Sequence, residues 1–411
     1  MSPRQDLPLA GVRVLELGQI MAAPICGLML SDMGADVIKI EKFPAGDDSR
    51  GYAKPGDPGL APSFMMLNRG KRSVAVDIRK PAGQDVIKRL VAGCDIVTEN
   101  YRRGKLDALG LGYEHLRAVN PKLVYCSITG YGPNGPLSDK GGFDLVLQAF
   151  SGLISVTGSL EGELAKPGNS VADINAGILA ALGSLTAYIK RLRTGEGGKV
   201  ETSLLQASLQ QMYWFAASYF ANGSIARPMG TAHPLIAPYQ TFRCREGAIA
   251  LGGGNQANWR RIAEVLGHPE WLQDARFQSG RDRLGHQRVL EGLITEALAA
   301  HPADHWIQVL DAAGVPVGPV NNVKEALEHE QSRAISMVVE ADHADGGTTR
   351  SLGLPLHFDG EAPYARSAAP RVGEQTYEVL REFGFNEGEI ADLDGTGTVC
   401  QALRNELQPA I

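Results

Sequence analysis

Val12-Arg-Val-Leu-Glu-Leu17 and Asp36-Val-Ile-Lys-Ile40, with a helix-length spacer between them, carry the reading of the fold. Each is a short run of β-branched and aliphatic residues, and the stretch 24–33 between them has helical spacing. Comparable runs recur at 73–76, 96–98, 123–128 and 199–201, with helical stretches at 83–91 and 178–193 among others. Strands alternating with helix-length segments predict βαβ units and a parallel sheet covered on both faces. The expected class is α/β, with a doubly wound large domain.

The character of the chain changes past residue 200. One long amphipathic helix is expected over 205–221, closing at Asn222-Gly223. A hairpin comes next at 239–243 and 248–251 around Arg245-Glu-Gly247, then Gly252-Gly253-Gly254, then helices near 259–266, 288–300 and 304–313. A chain of 411 residues exceeds one ordinary core. The expected division is a large domain over 1–224, a smaller α+β domain over 225–330, and a C-terminal segment over 331–411. That last segment ends in a helix at 374–383 and returns to the large domain.

Composition narrows the function. Hydrophobic residues make up 44% and charged residues 21%, the balance of a soluble globular protein. A net charge of −6 argues against a nucleic-acid partner. The amino-terminal stretch, opening Met1-Ser-Pro-Arg-Gln-Asp6, lacks a basic region leading into an apolar one, so no secretory signal is expected. No apolar run approaches the roughly 20 residues of a bilayer span, so no membrane partner is expected. Five scattered cysteines form no C-x-x-C pair, which fits a reducing cytoplasm and argues against a cysteine-built metal site.

A strand, a turn at Gly18, a helix and a second strand ending in Glu41 resemble the opening of a dinucleotide-binding unit. The turn reads Gly18-Gln-Ile-Met-Ala-Ala-Pro24, however, and the glycine pair that admits a pyrophosphate is missing. The plain reading of Glu41-Lys42 is a surface ion pair. Basic residues cluster at strand ends instead: Lys39, Lys42 and Arg50; Arg69, Lys71 and Arg72; Arg79-Lys80; Arg102-Arg103-Gly104-Lys105. In a doubly wound sheet such loops converge on one crevice, where phosphate is the natural partner; the alternative is a set of solvated faces.

Taken in order, several segments resemble the class III (formyl-CoA transferase, or CaiB/BaiF) family of CoA-transferases and related enzymes. They are Gly11-Val-Arg-Val-Leu-Glu-Leu17, Ala23-Pro24, Met33-Gly-Ala-Asp-Val-Ile-Lys-Ile-Glu41, Asn68-Arg-Gly-Lys-Arg-Ser73 and Glu99-Asn-Tyr101. Gly130-Tyr-Gly132, Gly142-Phe-Asp144 with Gln148, Asp173 and Thr194-Gly-Glu-Gly197 continue the series. The stretches 230–240, 252–255 and 314–322 are most similar to the family's succinate–hydroxymethylglutarate branch.

The resemblance implies a Rossmann-like large domain, an interlocked homodimer, and Asp173 as a covalent nucleophile. A carboxylate can form a mixed anhydride with the acyl group and then a thioester with CoA. Read without the resemblance, Asp173 is first a helix N-cap; either way, a helix N-terminus is expected to keep it ionised.

Coenzyme A and acyl-CoA are implied as substrates, with a small carboxylic acid, no permanently bound cofactor and no metal. Contacts to CoA are implied at Met21, Ala22, Lys42, Val76, Arg79, Asn100, Tyr101, Arg102, Lys105 and Lys140. Ala108 stands where some family members carry arginine. Gly252, Gly253 and Gly254 are expected either to form a flexible cover donating N–H groups to an oxyanion or to make a turn leaving a strand. His233 and Arg243 are candidate partners for a distal carboxylate. Two rivals are a racemase and a non-catalytic CoA-binding protein. The racemase needs a proton-moving side chain where this chain has Phe143.

Overall fold

The computed structural model describes residues 6–52, 61–343, 347–365 and 367–401. The chain divides into two compact units, one of Met1–Leu153, Pro167–Ser224 and Glu330–Ile411, the other of Ile154–Lys166 and Ile225–His329. Residues 154–166, which the sequence reading places within 1–224, group instead with the second unit.

The first unit is built on six parallel strands: β1 (Arg13–Leu17), β2 (Asp36–Glu41), β3 (Arg72–Val76), β4 (Ile96–Glu99), β5 (Val124–Thr129) and β6 (Gly198–Ser203). Their spatial order is β3-β2-β1-β4-β5-β6. β1 pairs in parallel with both β2 and β4, so the winding reverses there and a crevice opens at the carboxyl ends of β1 and β4. The pleat sends alternate residues to opposite faces. Val14, Val37, Ile96 and Val124 share one buried cluster with residues of α1 (Ala22–Asp32); Leu15, Ile38, Val97 and Tyr125 share another with residues of α2 (Pro81–Ala92). Each such buried aliphatic is worth about 1.5–3 kcal/mol against exposure.

Two further helices position the site, α3 (Asp144–Phe150) and α4 (Val171–Thr194). Ala172, Ala176 and Ala180 recur every four residues on α4 and form one buried face. A Cβ on Gly177 would lie 2.6 Å from the Ala22 carbonyl oxygen, so glycine lets α4 and α1 approach this closely. By length and composition α4 could also cross a membrane, more than the sequence reading allowed. Its inner face is nevertheless packed, while Leu182, Ile189 and Leu192 are exposed.

The single helix expected over 205–221 is two, Leu204–Gln210 and Tyr213–Asn222. The Asn175 side chain donates to the Ala207 carbonyl at 2.8 Å, and the Gln211 and Met212 amides turn back to Ser208 and Leu209. Those tighter i→i+3 bonds end the first helix.

The second unit carries an antiparallel sheet of β7 (Tyr239–Arg243), β8 (Ala248–Gly252) and β9 (Val317–Pro319), in that order. Gln256–Val265, Gln287–Leu298 and Ala303–Ala312 are its longer helices, and Phe242, Ile249, Trp259 and Trp306 lie in its core. The tail adds a hairpin of β10 (Val338–Asp342) and β11 (Thr348–Leu352) to the first unit. It also adds β12 (Val399–Cys400), antiparallel to β3 at the sheet edge.

Candidate active site

The crevice rests on a buried charge network. Lys39 Nζ lies 2.9 Å from both the Glu16 and Asp47 carboxylates, and Lys71 Nζ lies 2.8 Å from Glu16, all four side chains being inaccessible. Glu41 is also buried, paired bidentately with Arg50 and accepting bonds from Ser73 Oγ and the Asp47 amide. Three acids and three bases neutralise one another, as buried charges must. Burial works against ionising Asp47, yet Lys39 and the Ser49 bonds hold its carboxyl down at about 2. Burial is also the main cause lowering Lys71, to about 8, with Glu16 opposing it.

Much of the expected phosphate-binding charge is therefore already spoken for. Lys39 and Arg50 are consumed within the network, Arg69 pairs with Asp32, and Arg72 pairs with Asp36 and Glu382. Glu41 makes no surface pair with Lys42, whose partner is Asp48.

The network fixes the loop between β1 and α1. Lys39 Nζ donates to the Gly18 carbonyl at 2.9 Å. Asn100 grips Gln19 from both sides, accepting from its amide at 2.9 Å and donating to its carbonyl at 2.8 Å. The Ile20 amide donates to both oxygens of Asp47, at 3.1 and 3.2 Å. A Cβ on Gly18 would fall 2.3 Å from that of Ala23, which explains the one glycine in the turn.

Above this loop the crevice has a smaller and a larger lobe. Asn100, Tyr101, Arg102, Phe143 and Asp173 line both. Lys140 faces the smaller lobe; Met21 and Lys105 face the larger. Among the described residues Arg102 and Lys105 have no ion-pair partner, whereas Arg103 is tied to Ser138 and Asp139.

The remaining candidates for CoA contact lie elsewhere. Ala22 is buried at the start of α1, and Val76 is buried against Val399 of β12. Arg79 points into solvent and pairs with neighbouring Asp77. Lys42 lines neither lobe, although its partner Asp48 lines the larger one.

Asp173 stands in the first turn of α4, three residues past Ser170, and makes no cap. The capping is done from α3. Asp144 Oδ1 accepts the Ala172 amide at 2.9 Å and the Asp173 amide at 3.3 Å, while Gln148 holds its other oxygen at 2.6 Å. The expectation that a helix end would keep Asp173 ionised is thereby corrected. Burial first, and the Asp144 charge second, raise its carboxyl to about 7. The helix amides that would have favoured the anion are already answered by a carboxylate.

In the second unit, His233 Nδ1 accepts the Leu235 amide and burial lowers its basicity. Arg243 is exposed at the end of β7. The flexible-cover reading of the glycines is corrected. The Gly252 and Gly253 amides donate to Pro316 and Pro238 carbonyls at 2.8 Å, and a Cβ on Gly253 would meet Ile262 at 2.6 Å. They form a packed turn with those two donors occupied.

Sequence reasoning singled out neither Gln19 and Ile20 nor the role of Asp144. The signal for Asp144 was its place in Gly142-Phe-Asp144, which sequence reasoning used only for the family resemblance.

A doubly wound sheet whose switch-point crevice joins unpaired cations to a partly buried carboxylate suits an enzyme acting on a phosphate-bearing acyl carrier. The chain matches the family model for CoA-transferase family III over residues 9–376, and it belongs to that family. It is a CoA-transferase.

It is 33% identical to the succinyl-CoA:glutarate CoA-transferase of Mus musculus, over 96% of this chain and 91% of that protein. It is 35% identical to the succinate–glutarate CoA-transferase of Agrobacterium fabrum, over 92% of this chain and 96% of that one. A CaiB/BaiF family protein from Brucella suis has a similar structure, with a TM-score of 0.82 and 36% identity, covering 92% of this chain and all of that one.

Proposed function

We propose that the enzyme moves CoA from succinyl-CoA to a short dicarboxylic acid, with Asp173 as its covalent nucleophile. Asp173 is the single carrying observation: a carboxylate on the wall of both lobes, beside cations free to meet the CoA phosphates. The names of the mouse and Agrobacterium relatives support the succinyl donor and a glutarate-like acceptor.

One Asp173 oxygen attacks the thioester carbonyl, the C–S bond breaks, and CoA thiolate leaves a mixed anhydride. The thiolate then attacks the Asp173 carbonyl carbon, releasing succinate and leaving an enzyme–CoA thioester. The acceptor carboxylate attacks that thioester and repeats the sequence in reverse, which restores the free aspartate. No net proton moves. A carboxyl near 7 is mostly ionised at pH 8, and its poorly solvated oxygen is a stronger nucleophile than one at the ordinary value.

Met21, Asn100, Tyr101, Arg102, Lys105 and Lys140 are the residues here that would hold CoA. Phe143 lines both lobes and carries no titratable proton, which favours transfer over racemisation. We further propose a homodimer, interlocked as the family resemblance implies. Its support is the exposure of Leu182 and Leu192 on α4, and of Trp214 and Phe220 on the helix Tyr213–Asn222.

Incubation with succinyl-CoA and hydroxylamine, followed by peptide mass analysis, tests the mechanism. A hydroxamate on the Asp173 peptide is expected. Full-speed CoA exchange by Asp173→Ala would refute it, and a donor–acceptor screen active only with formyl or oxalyl groups would refute the substrate assignment.

A further inference from the structure

Ile20 has φ of +67°, and among the described residues only Ser336 and Asp359 are other non-glycine positions with positive φ. For a β-branched residue that conformation is a genuine outlier, sustained only where the surroundings over-determine it. Here they do. Gly18, Gln19 and Ile20 are held in succession by Lys39, Asn100 and Asp47. Gln19 and Ile20 line the larger lobe together with Met21 and Asp173, whereas Asp47 is buried and lines neither lobe.

We infer that Asp47 is a positioning residue: by holding the Ile20 amide with both oxygens it keeps the 18–21 loop in the left-handed form that shapes the acyl-CoA lobe beside Asp173. Lys39 completes the clamp, bridging Asp47, Glu16 and the Gly18 carbonyl. Without Asp47, isoleucine relaxes toward negative φ and, with Gln19 still held by Asn100, swings Met21 out of register with the nucleophile. Glycine adopts positive φ without steric cost, so at position 20 it would need no clamp. The bonds from Asn100 to Gln19 and from Lys39 to Gly18 would still locate the loop.

This inference rests on the transfer reading, and the two fail differently. Absence of a hydroxamate on wild-type Asp173 removes the covalent mechanism. The clamp is judged by CoA exchange among Asp47 and Ile20 variants of the full-length protein.

For Asp47→Ala, kcat/KM for succinyl-CoA is expected to fall ~10–100-fold, the scale of a misplacement of about 1 Å. Adding Ile20→Gly should restore at least about fivefold of it without restoring the melting temperature, because the lost partner of Lys39 is not replaced. A merely structural Asp47 would show no such rescue. If Asp47→Ala does not fold, Asp47→Asn carries the same comparison: it offers the Ile20 amide one oxygen, and a ~3-fold loss, recovered by Ile20→Gly, is expected. Unchanged kcat/KM in the Asp47 variant that folds, or a loss that Ile20→Gly leaves untouched, overturns the proposal.

Discussion

Replacing Asp173, the proposed nucleophile, should make the protein more stable while abolishing its activity. Asp173 is raised from 3.8 to about 7 by burial and by Asp144. The folded state therefore holds its proton more tightly than the unfolded chain, and stability falls as pH rises from about 4 to about 7. A displacement of that size corresponds to about 4 kcal/mol withheld from the folded state above pH 7. Water reaching the crevice screens part of it, leaving about 2–4 kcal/mol. Asp173→Asn keeps the side-chain volume and removes the charge, so it should recover that amount at pH 8. For a unit of this size the gain is roughly 3–6 °C in melting temperature. At pH 5 the gap should shrink to under about half, because the native carboxyl is by then mostly protonated. Parallel thermal melts of wild type and Asp173→Asn at pH 5 and pH 8 measure this. An Asn variant no more stable than wild type at pH 8, or an advantage independent of pH, would refute the reasoning.

The same geometry sets further outcomes. If the ionised Asp173 is the nucleophile, kcat/KM should rise with pH through about 7, and Asp144→Asn should move that limb to lower pH by removing the second of its two causes; a stopped-flow pH profile with an unmoved limb would count against the coupling. Arg102→Ala and Lys105→Ala should each raise KM for succinyl-CoA by about tenfold with little change in kcat, and should flatten the dependence of KM on salt. Isothermal titration with free CoA would show the same loss as weaker binding. Gly177→Val forces a Cβ to within 2.6 Å of the Ala22 carbonyl oxygen and 2.8 Å of Ile25. Chemical denaturation should register about 1–3 kcal/mol of destabilisation, the cost of overpacking.

The parallel sheet and its flanking helices were legible from local pattern alone. Runs such as Val12–Leu17 can bury both faces only in a covered sheet, and hydrophobic period is a property of neighbours in sequence. β12 escaped notice because a two-residue strand carries no period, and the break near Gln211 because it depends on a side chain 36 positions earlier.

Charge was the least legible property. Lys39, Arg50, Arg69 and Lys71 read as either ligand-facing or solvated cations, yet each is met by a carboxylate brought from another element, while the Arg102–Lys105 group alone reaches the crevice among the clusters considered. Sequence likewise selected Asp173 by motif and assigned it an ordinary ionised state. Its elevated proton affinity comes from burial and from Asp144, 29 residues away in the chain and bonded to the same turn. The sequence alone determined where the parallel strands and most of their flanking helices form and which aspartate to watch. Tertiary structure decided which charges cancel, which backbone is held in strain and how tightly that aspartate keeps its proton, because electrostatic energy depends on separation and solvent access in space.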